Sequence, residues 1–255
     1  MSIKILISND DGINSEGLHV LADSLRDLGE IFIVAPDREQ SAASHALSLH
    51  HPLRIDEISE NIFSVDGTPT DCINLAVNGI LKDKRPDIVV SGINKGENLG
   101  DDITYSGTVS AAMEGTLLGI PSIAVSIASR KNFDFDTASY YALIIAKYVI
   151  DKSLPPGTLL NVNVPNLPKS KIKGIKVTTQ GKRVYGEPIV EKIDPRGRKY
   201  YWIGGDELRF LNIKDSDLVA VTQGFVSVTP IKLDLTDSDF LKTLMNDLEK
   251  TIDIV

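Results

Sequence analysis

A single cysteine, Cys72, stands in the 255 residues. That excludes an intramolecular disulfide and any zinc site built from several cysteines. Long apolar runs are missing too: the best stretch beside a helix, 142–150, is interrupted by Lys147 and is far too short for a bilayer. The opening apolar run at 3–7 ends in Asn9-Asp10-Asp11, so no signal peptide is expected. Positive charge is scarce: Lys and Arg number 27 against 35 Asp and Glu, a net charge of −8. A nucleic-acid duplex binder needs the opposite balance. The four histidines (His19, His45, His50, His51) show no HExxH or similar metal spacing. GxGxxG and Gly-Lys-Ser/Thr are both absent, so dinucleotide and P-loop ATPase functions lose most of their support. What is present, 42% hydrophobic and 24% charged residues, is the balance of a globular core. The expectation is a soluble, cytoplasmic protein with neither membrane nor duplex partner.

The first half alternates between two hydrophobic periods. A short run at 3–7 reads as a buried parallel strand; Leu18, Leu21, Ala22, Leu25 and Leu28 recur at helical spacing, with Gly29 as the C-cap; 31–35 is a second strand halted by Pro36. Helices follow at 70–81, 108–118 and 136–152, and strands at 88–90, 123–125 and 159–164. Alternation between Leu47 and Val65 implies a small β excursion. The pattern predicts a Rossmann-like α/β core over 1–164, an open, mainly parallel sheet with helices on both faces. From Pro165 the character changes. Alternations at 175–179, 185–193 and 200–203 predict a β-hairpin extension over 165–235. Residues 169–201 hold ten Lys or Arg against three acids, the composition of a solvated arm. Strand character is expected again at 219–228, and an amphipathic helix closes the chain within 236–255.

In open parallel sheets, ligands bind at the carboxyl ends of the strands. Strand one ends in Ser8-Asn9-Asp10-Asp11-Gly12. Two adjacent carboxylates repel, and a hard divalent cation or a solvated Asx-turn relieves them. Strand two ends in a polar loop, Asp37 to Ser44, that can bring hydroxyls beside the acids. Strand three ends in Ser91-Gly92-Ile93-Asn94-Lys95-Gly96-Glu97-Asn98-Leu99-Gly100-Asp101-Asp102, where glycines allow backbone to approach an anion and Asn carbonyls offer neutral ligands. Tyr105-Ser106-Gly107-Thr108 opens a helix, whose unpaired N–H groups and dipole attract anions or merely take Ser106 or Thr108 as a cap. His45 is a loop residue within reach of a proton-donating role, and Cys72 falls on the apolar side of a helix.

These motifs, with Ala35-Pro36-Asp37-Arg38 and Ser41, Gly67-Thr68-Pro69-Thr70-Asp71-Cys72, Asp194-Pro195-Arg196-Gly197 and Tyr201-Trp202-Ile203-Gly204, resemble the survival protein SurE family over nearly the whole chain. The resemblance implies a metal-dependent 5′/3′-nucleotidase that hydrolyses nucleoside monophosphates, with polyphosphate as a further substrate. It implies one divalent cation per subunit, Mg²⁺ or Mn²⁺, on Asp10, Asp11, Ser41 and Asn94. It places phosphate at Ser106, Gly107 and Thr108, with Asn98 close to the substrate, and gives Asp10, Asp11 and Asn98 the catalytic roles. It further implies dimers or tetramers formed through the C-terminal β-arms, against which the closing helix packs.

For the chemistry, a water activated by the cation is the favoured nucleophile, and Asp10 acting covalently the alternative. A receiver-like phosphoacceptor also places an acidic pair after strand one, but it needs an Asp where this chain has Ser91-Gly92. A nucleotide-sugar transferase separates its two acids by one residue, and here they are adjacent.

Overall fold

The computed structural model describes residues 2–185, 189–203 and 208–252. Five parallel strands form its centre: β1 (Ile3–Ser8), β2 (Gly29–Pro36), β5 (Ile88–Lys95), β6 (Ser122–Ala128) and β7 (Thr158–Pro165). A hairpin, β3 (Ile55–Ser59) and β4 (Ile62–Val65), extends one edge through β4 parallel to β2, and is the β excursion expected there. At the other edge come β13 (Val226–Lys232), antiparallel to β7, and β8 (Ile175–Val177). The nine-stranded sheet runs β3-β4-β2-β1-β5-β6-β7-β13-β8.

Strand alternation explains why both faces are covered. Ile5 and Ile7 point to a cluster shared with α1 (Glu16–Leu25) and α4 (Phe135–Lys152), including Leu18, Leu21, Ala142 and Val149. Leu6, between them, points to the opposite cluster with Cys72 and Ile73 of α2 (Pro69–Leu75) and Ala111 of α3 (Gly107–Leu117). Cys72 is fully buried there, and burial pushes its thiol well above the ordinary range. It is a core residue. No described helix is long and apolar enough to cross a membrane.

Beyond β7 the chain builds two short ladders, β9 (Arg183–Tyr185) with β12 (Leu208–Phe210), and β10 (Ile189–Ile193) with β11 (Lys199–Ile203). The β10–β11 hairpin turns at Asp194, whose carboxylate accepts from the N–H groups of Arg196 and Arg198, both at 2.8 Å. The expected alternation at 185–193 and the Tyr201–Gly204 motif extend into 186–188 and 204, which lie outside the described residues. Helix α5 (Asp217–Thr222) precedes β13, and α6 (Ser238–Ile252) closes the described chain.

Three expectations are corrected. Gly29 does not cap α1; it opens β2 opposite Ile3, and a Cβ there would meet the Ile3 carbonyl oxygen at 2.1 Å. The strand expected at 219–228 is α5 followed by β13, because Ser216 caps a helical turn over its β-prone residues. The strand expected at 88–90 runs on to Lys95 through a bulge between Ser91 and Asn94.

Candidate active site

The topology reverses between β1 and β5: the chain leaves β1 toward β2 and β4, then crosses back to β5 on the other side. In such sheets the crevice at the carboxyl end of that strand pair receives ligands. Asp10 and Asp11 follow β1, and Asn94 and Lys95 end β5, so all four stand at the reversal. They border a cavity of about 550 Å³ that also takes in Ser41, Asn98, Ser106 and Arg130.

Hydrogen bonds stitch the loops together around it. The Gln40 N–H donates to the Asp10 carbonyl at 2.8 Å and the Ser44 N–H to the Tyr105 carbonyl at 3.2 Å. The Lys95 N–H reaches the Asp11 carboxylate at 3.2 Å. Thr108 donates its hydroxyl to Asp10. Helix α3 begins directly on this carboxylate, since a Cβ on Gly107 would meet Asp10 Cβ at 2.8 Å and Oδ2 at 2.9 Å. Glycine here is a matter of space.

Asp10 is buried, and burial pushes its carboxyl up to about 6; the Thr108 hydrogen bond opposes this and the charge of Asp11 adds to it. Burial also raises Asp11, against the pull of the Lys95 N–H and ammonium. The Asn94 amide nitrogen donates to the Gly96 carbonyl at 2.9 Å, leaving Oδ1 as its acceptor end. Ser41 gives its hydroxyl proton to Glu39, which leaves the oxygen lone pairs. The donors are therefore two carboxylates and two neutral oxygens, the hard set that suits Mg²⁺ or Mn²⁺. Among the described residues no cluster of three or more His, Cys, Asp or Glu forms a metal site.

The three residues expected around phosphate divide. Ser106 borders the cavity and caps α3, accepting from the Val109 N–H at 3.1 Å. Gly107 is pressed against Asp10. Thr108 is fully buried with its hydroxyl committed to Asp10, so it stands behind the carboxylate rather than on the cavity wall. Asn98 does reach the wall, and it is fixed in place. Its N–H donates to Asn163 Oδ1 at 2.8 Å, its Nδ2 to Ser126 Oγ at 2.7 Å, and its carbonyl accepts from Asn161 and Asn163 at 2.8 and 3.0 Å. Sequence reasoning missed this support. Its trace was there: Asn161 and Asn163 alternate with apolar residues in β7, placing two amides on one face of a buried strand. Lys95 and Arg130, exposed at the cavity, were also passed over.

His45 is elsewhere. It borders a second cavity of about 500 Å³ with Ile103 and Met113, and its Nε2 lies 2.9 Å from Glu114. That contact, helped by Asn74, holds the buried Glu114 carboxyl below its ordinary range.

Comparison with known proteins bears on the same residues. The family model described as Survival protein SurE matches residues 5–187. A protein of Geotalea daltonii named 5′-nucleotidase SurE is 58% identical over 95% of this chain and 98% of its own length. One of the same name from Geobacter metallireducens is 56% identical over 95% and 96%. The crystal structure of the SurE protein from Aquifex aeolicus superposes with a TM-score of 0.87 at 48% identity, covering 94% of this chain and 97% of that one. With the matched span running from β1 through β9 and so enclosing every residue that borders the acid pair, this chain belongs to the survival protein SurE family.

Proposed function

We propose that the protein is a divalent-metal-dependent 5′-nucleotidase, releasing phosphate from nucleoside monophosphates. The observation that carries this is the Asp10–Asp11 pair at the sheet reversal, Asp10 buried and Asp11 half-buried, faced by neutral oxygen donors and by the start of α3. The names of the relatives agree. Asp10, Asp11, Ser41 and Asn94 fit one Mg²⁺ or Mn²⁺: the donors are all oxygen, and a carboxyl whose proton is held to about pH 6 is one a cation stabilises in its charged form. A divalent cation there supplies positive charge to the phosphoryl oxygens and makes water acidic enough to attack at neutral pH.

The chain's own residues do the rest. The Ser106 hydroxyl and the Gly107 N–H receive phosphoryl oxygens at the positive end of the α3 dipole. Asn98 spends one amide hydrogen on Ser126 and keeps the second for the same oxygens. Lys95 and Arg130 at the cavity draw an anion inward. Thr108 acts through Asp10 by holding one carboxylate oxygen. Because both acids serve as ligands, a covalent role for Asp10 is disfavoured. Polyphosphate would meet the same terminal-phosphate seat, and a chain with one buried thiol suits a reducing cytoplasm.

Assembly is part of the proposal. Ile189, Ile193, Tyr201, Trp202 and Ile203 stand exposed on the β10–β11 hairpin, and Phe240, Leu241, Leu244, Met245 and Leu248 on α6. We assign these surfaces to contacts between copies in a homodimer or homotetramer. The activity is tested by phosphate release from a panel of nucleoside 5′- and 3′-monophosphates and polyphosphate, with Mg²⁺, Mn²⁺ or chelator. Release from a 5′-monophosphate that stops on chelation supports the proposal; no release with either metal from folded protein removes it, and labelling by acetyl phosphate would then favour a phosphoacceptor.

A further inference from the structure

Most of the described residues in the basic segment 169–201 lie in solvent, but Arg183 does not: its side chain is 4% exposed. The guanidinium joins two carboxylates of the loop that carries Asn98. Nη2 lies 3.3 Å from Glu97 Oε1 and Nε forms an ion pair at 2.6 Å with Asp102 Oδ2. These acids bracket the loop, one immediately before Asn98 and the other at its far end. The middle is held by Gln180 of the same segment and by Asp217 of α5. The Gly100 carbonyl accepts from Gln180 Nε2 at 3.1 Å, and the Gly100 N–H shares the Asp217 carboxylate with the Gly181 N–H, at 2.9 and 2.8 Å. Arg183 also opens β9, which the β10–β11 hairpin follows in the chain.

From this we infer that Arg183 is a positioning residue for the phosphate-facing amide of Asn98, clamping the 97–102 loop to the root of the arm. The inference deepens the nucleotidase proposal and rests on its role for Asn98. The guanidinium spans both acids at once, by a hydrogen bond from Nη2 to Glu97 and by charge alone to Asp102, whereas a lysine ammonium is one compact point charge. Arg183→Lys therefore keeps the charge and loses the span. The proposed cation ligands Asp10, Asp11, Ser41 and Asn94 lie outside the clamped loop, so cation binding and positioning separate in the experiment.

The test measures kcat, KM and Mn²⁺ affinity for wild type, Arg183→Lys, Asn98→Ala and the double variant. Arg183→Lys should lower kcat about tenfold or more, as small displacements of a reacting geometry do. KM and Mn²⁺ affinity should stay within about threefold, the signature of an interaction made in the transition state. In the Asn98→Ala background the same change should have no further effect on kcat. A full, additive loss in that background, Mn²⁺ affinity falling in step with kcat, or an unchanged kcat each overturns the inference. Amide hydrogen exchange of the full-length protein reads the clamp without catalysis. Arg183→Met should speed exchange at the Asn98 and Gly100 amides, and unchanged exchange there overturns the clamp. If wild type releases no phosphate, the nucleotidase proposal fails by itself and exchange alone decides the clamp.

Discussion

At the scale of single residues, the site turns on how Asp10 holds its proton. In the folded chain its carboxyl keeps the proton up to about pH 6, against an ordinary value of 3.8. Between those values the folded state binds a proton that the unfolded state does not, so stability of the metal-free protein falls as pH rises through this window. The rise from 3.8 to about 6 amounts to about 3 kcal/mol at neutral pH. A cation that replaces the proton recovers it. Mg²⁺ or Mn²⁺ should therefore raise the melting temperature at pH 7.5 and do little at pH 4.5. Thr108→Val removes the hydrogen bond that lowers this carboxyl, so the midpoint of cation binding against pH should move above that of wild type. An unmoved midpoint would show that Thr108 does not set Asp10. The acid pair and Asn94 were legible because polar groups ending apolar strands are visible in sequence, Ser106 because it opens a helix, and Asn98 through the family resemblance of its loop. The burial that keeps Asp10 protonated was not, since it depends on the distant start of α3 and on Gly107 making room for it.

At the scale of elements, close approach of backbones decides where sequence patterns mislead. Gly29 follows a helical pattern and looks like a cap, but the requirement comes from the neighbouring strand, where the Ile3 carbonyl leaves no space for a Cβ. Gly29→Ala should therefore force β1 and β2 apart and cost more than the ~1 kcal/mol gain that alanine brings at a permissive site. Chemical denaturation checks this, and a stabilised variant would restore the cap as the explanation. The helix at 217–222 was hidden for a different reason: Leu218-Val219-Ala220-Val221 has strand-like residues, yet Ser216 caps the turn and Asp217 accepts N–H groups from Gly100, Gly181 and Leu218. Such long-range bonds leave no periodic trace. The bulge in β5 is similar, because the shift that brings Asn94 and Lys95 to the strand end is set by register with β6. By contrast, β1, β2, β5, β6 and β7 follow directly from short β-branched runs bounded by turns, and with them the parallel sheet.

At the scale of the whole molecule, the chain exposes 14339 Å². A compact protein of 27.8 kDa exposes about 11,000 Å². The chain thus exposes about 3,000 Å² more than a compact body of its mass. The hairpin and α6 account for it in character, since Ile203 is 91% exposed and α6 turns a stripe of five large apolar residues outward. Light scattering should give a multiple of 27.8 kDa, and Ile203→Glu combined with Leu244→Glu should shift the protein toward the monomer. Wild type at 27.8 kDa would contradict assembly through these surfaces. Asp10 and Asp11 are proposed to hold one cation against which phosphate is hydrolysed. The most direct measurement is a calorimetric titration of Mn²⁺ into wild type and Asp10→Asn at pH 7.5, with phosphate release followed on the same samples. Wild type should bind one Mn²⁺ per subunit, and Asp10→Asn should lose both binding and hydrolysis. Binding and turnover that survive the substitution would contradict it.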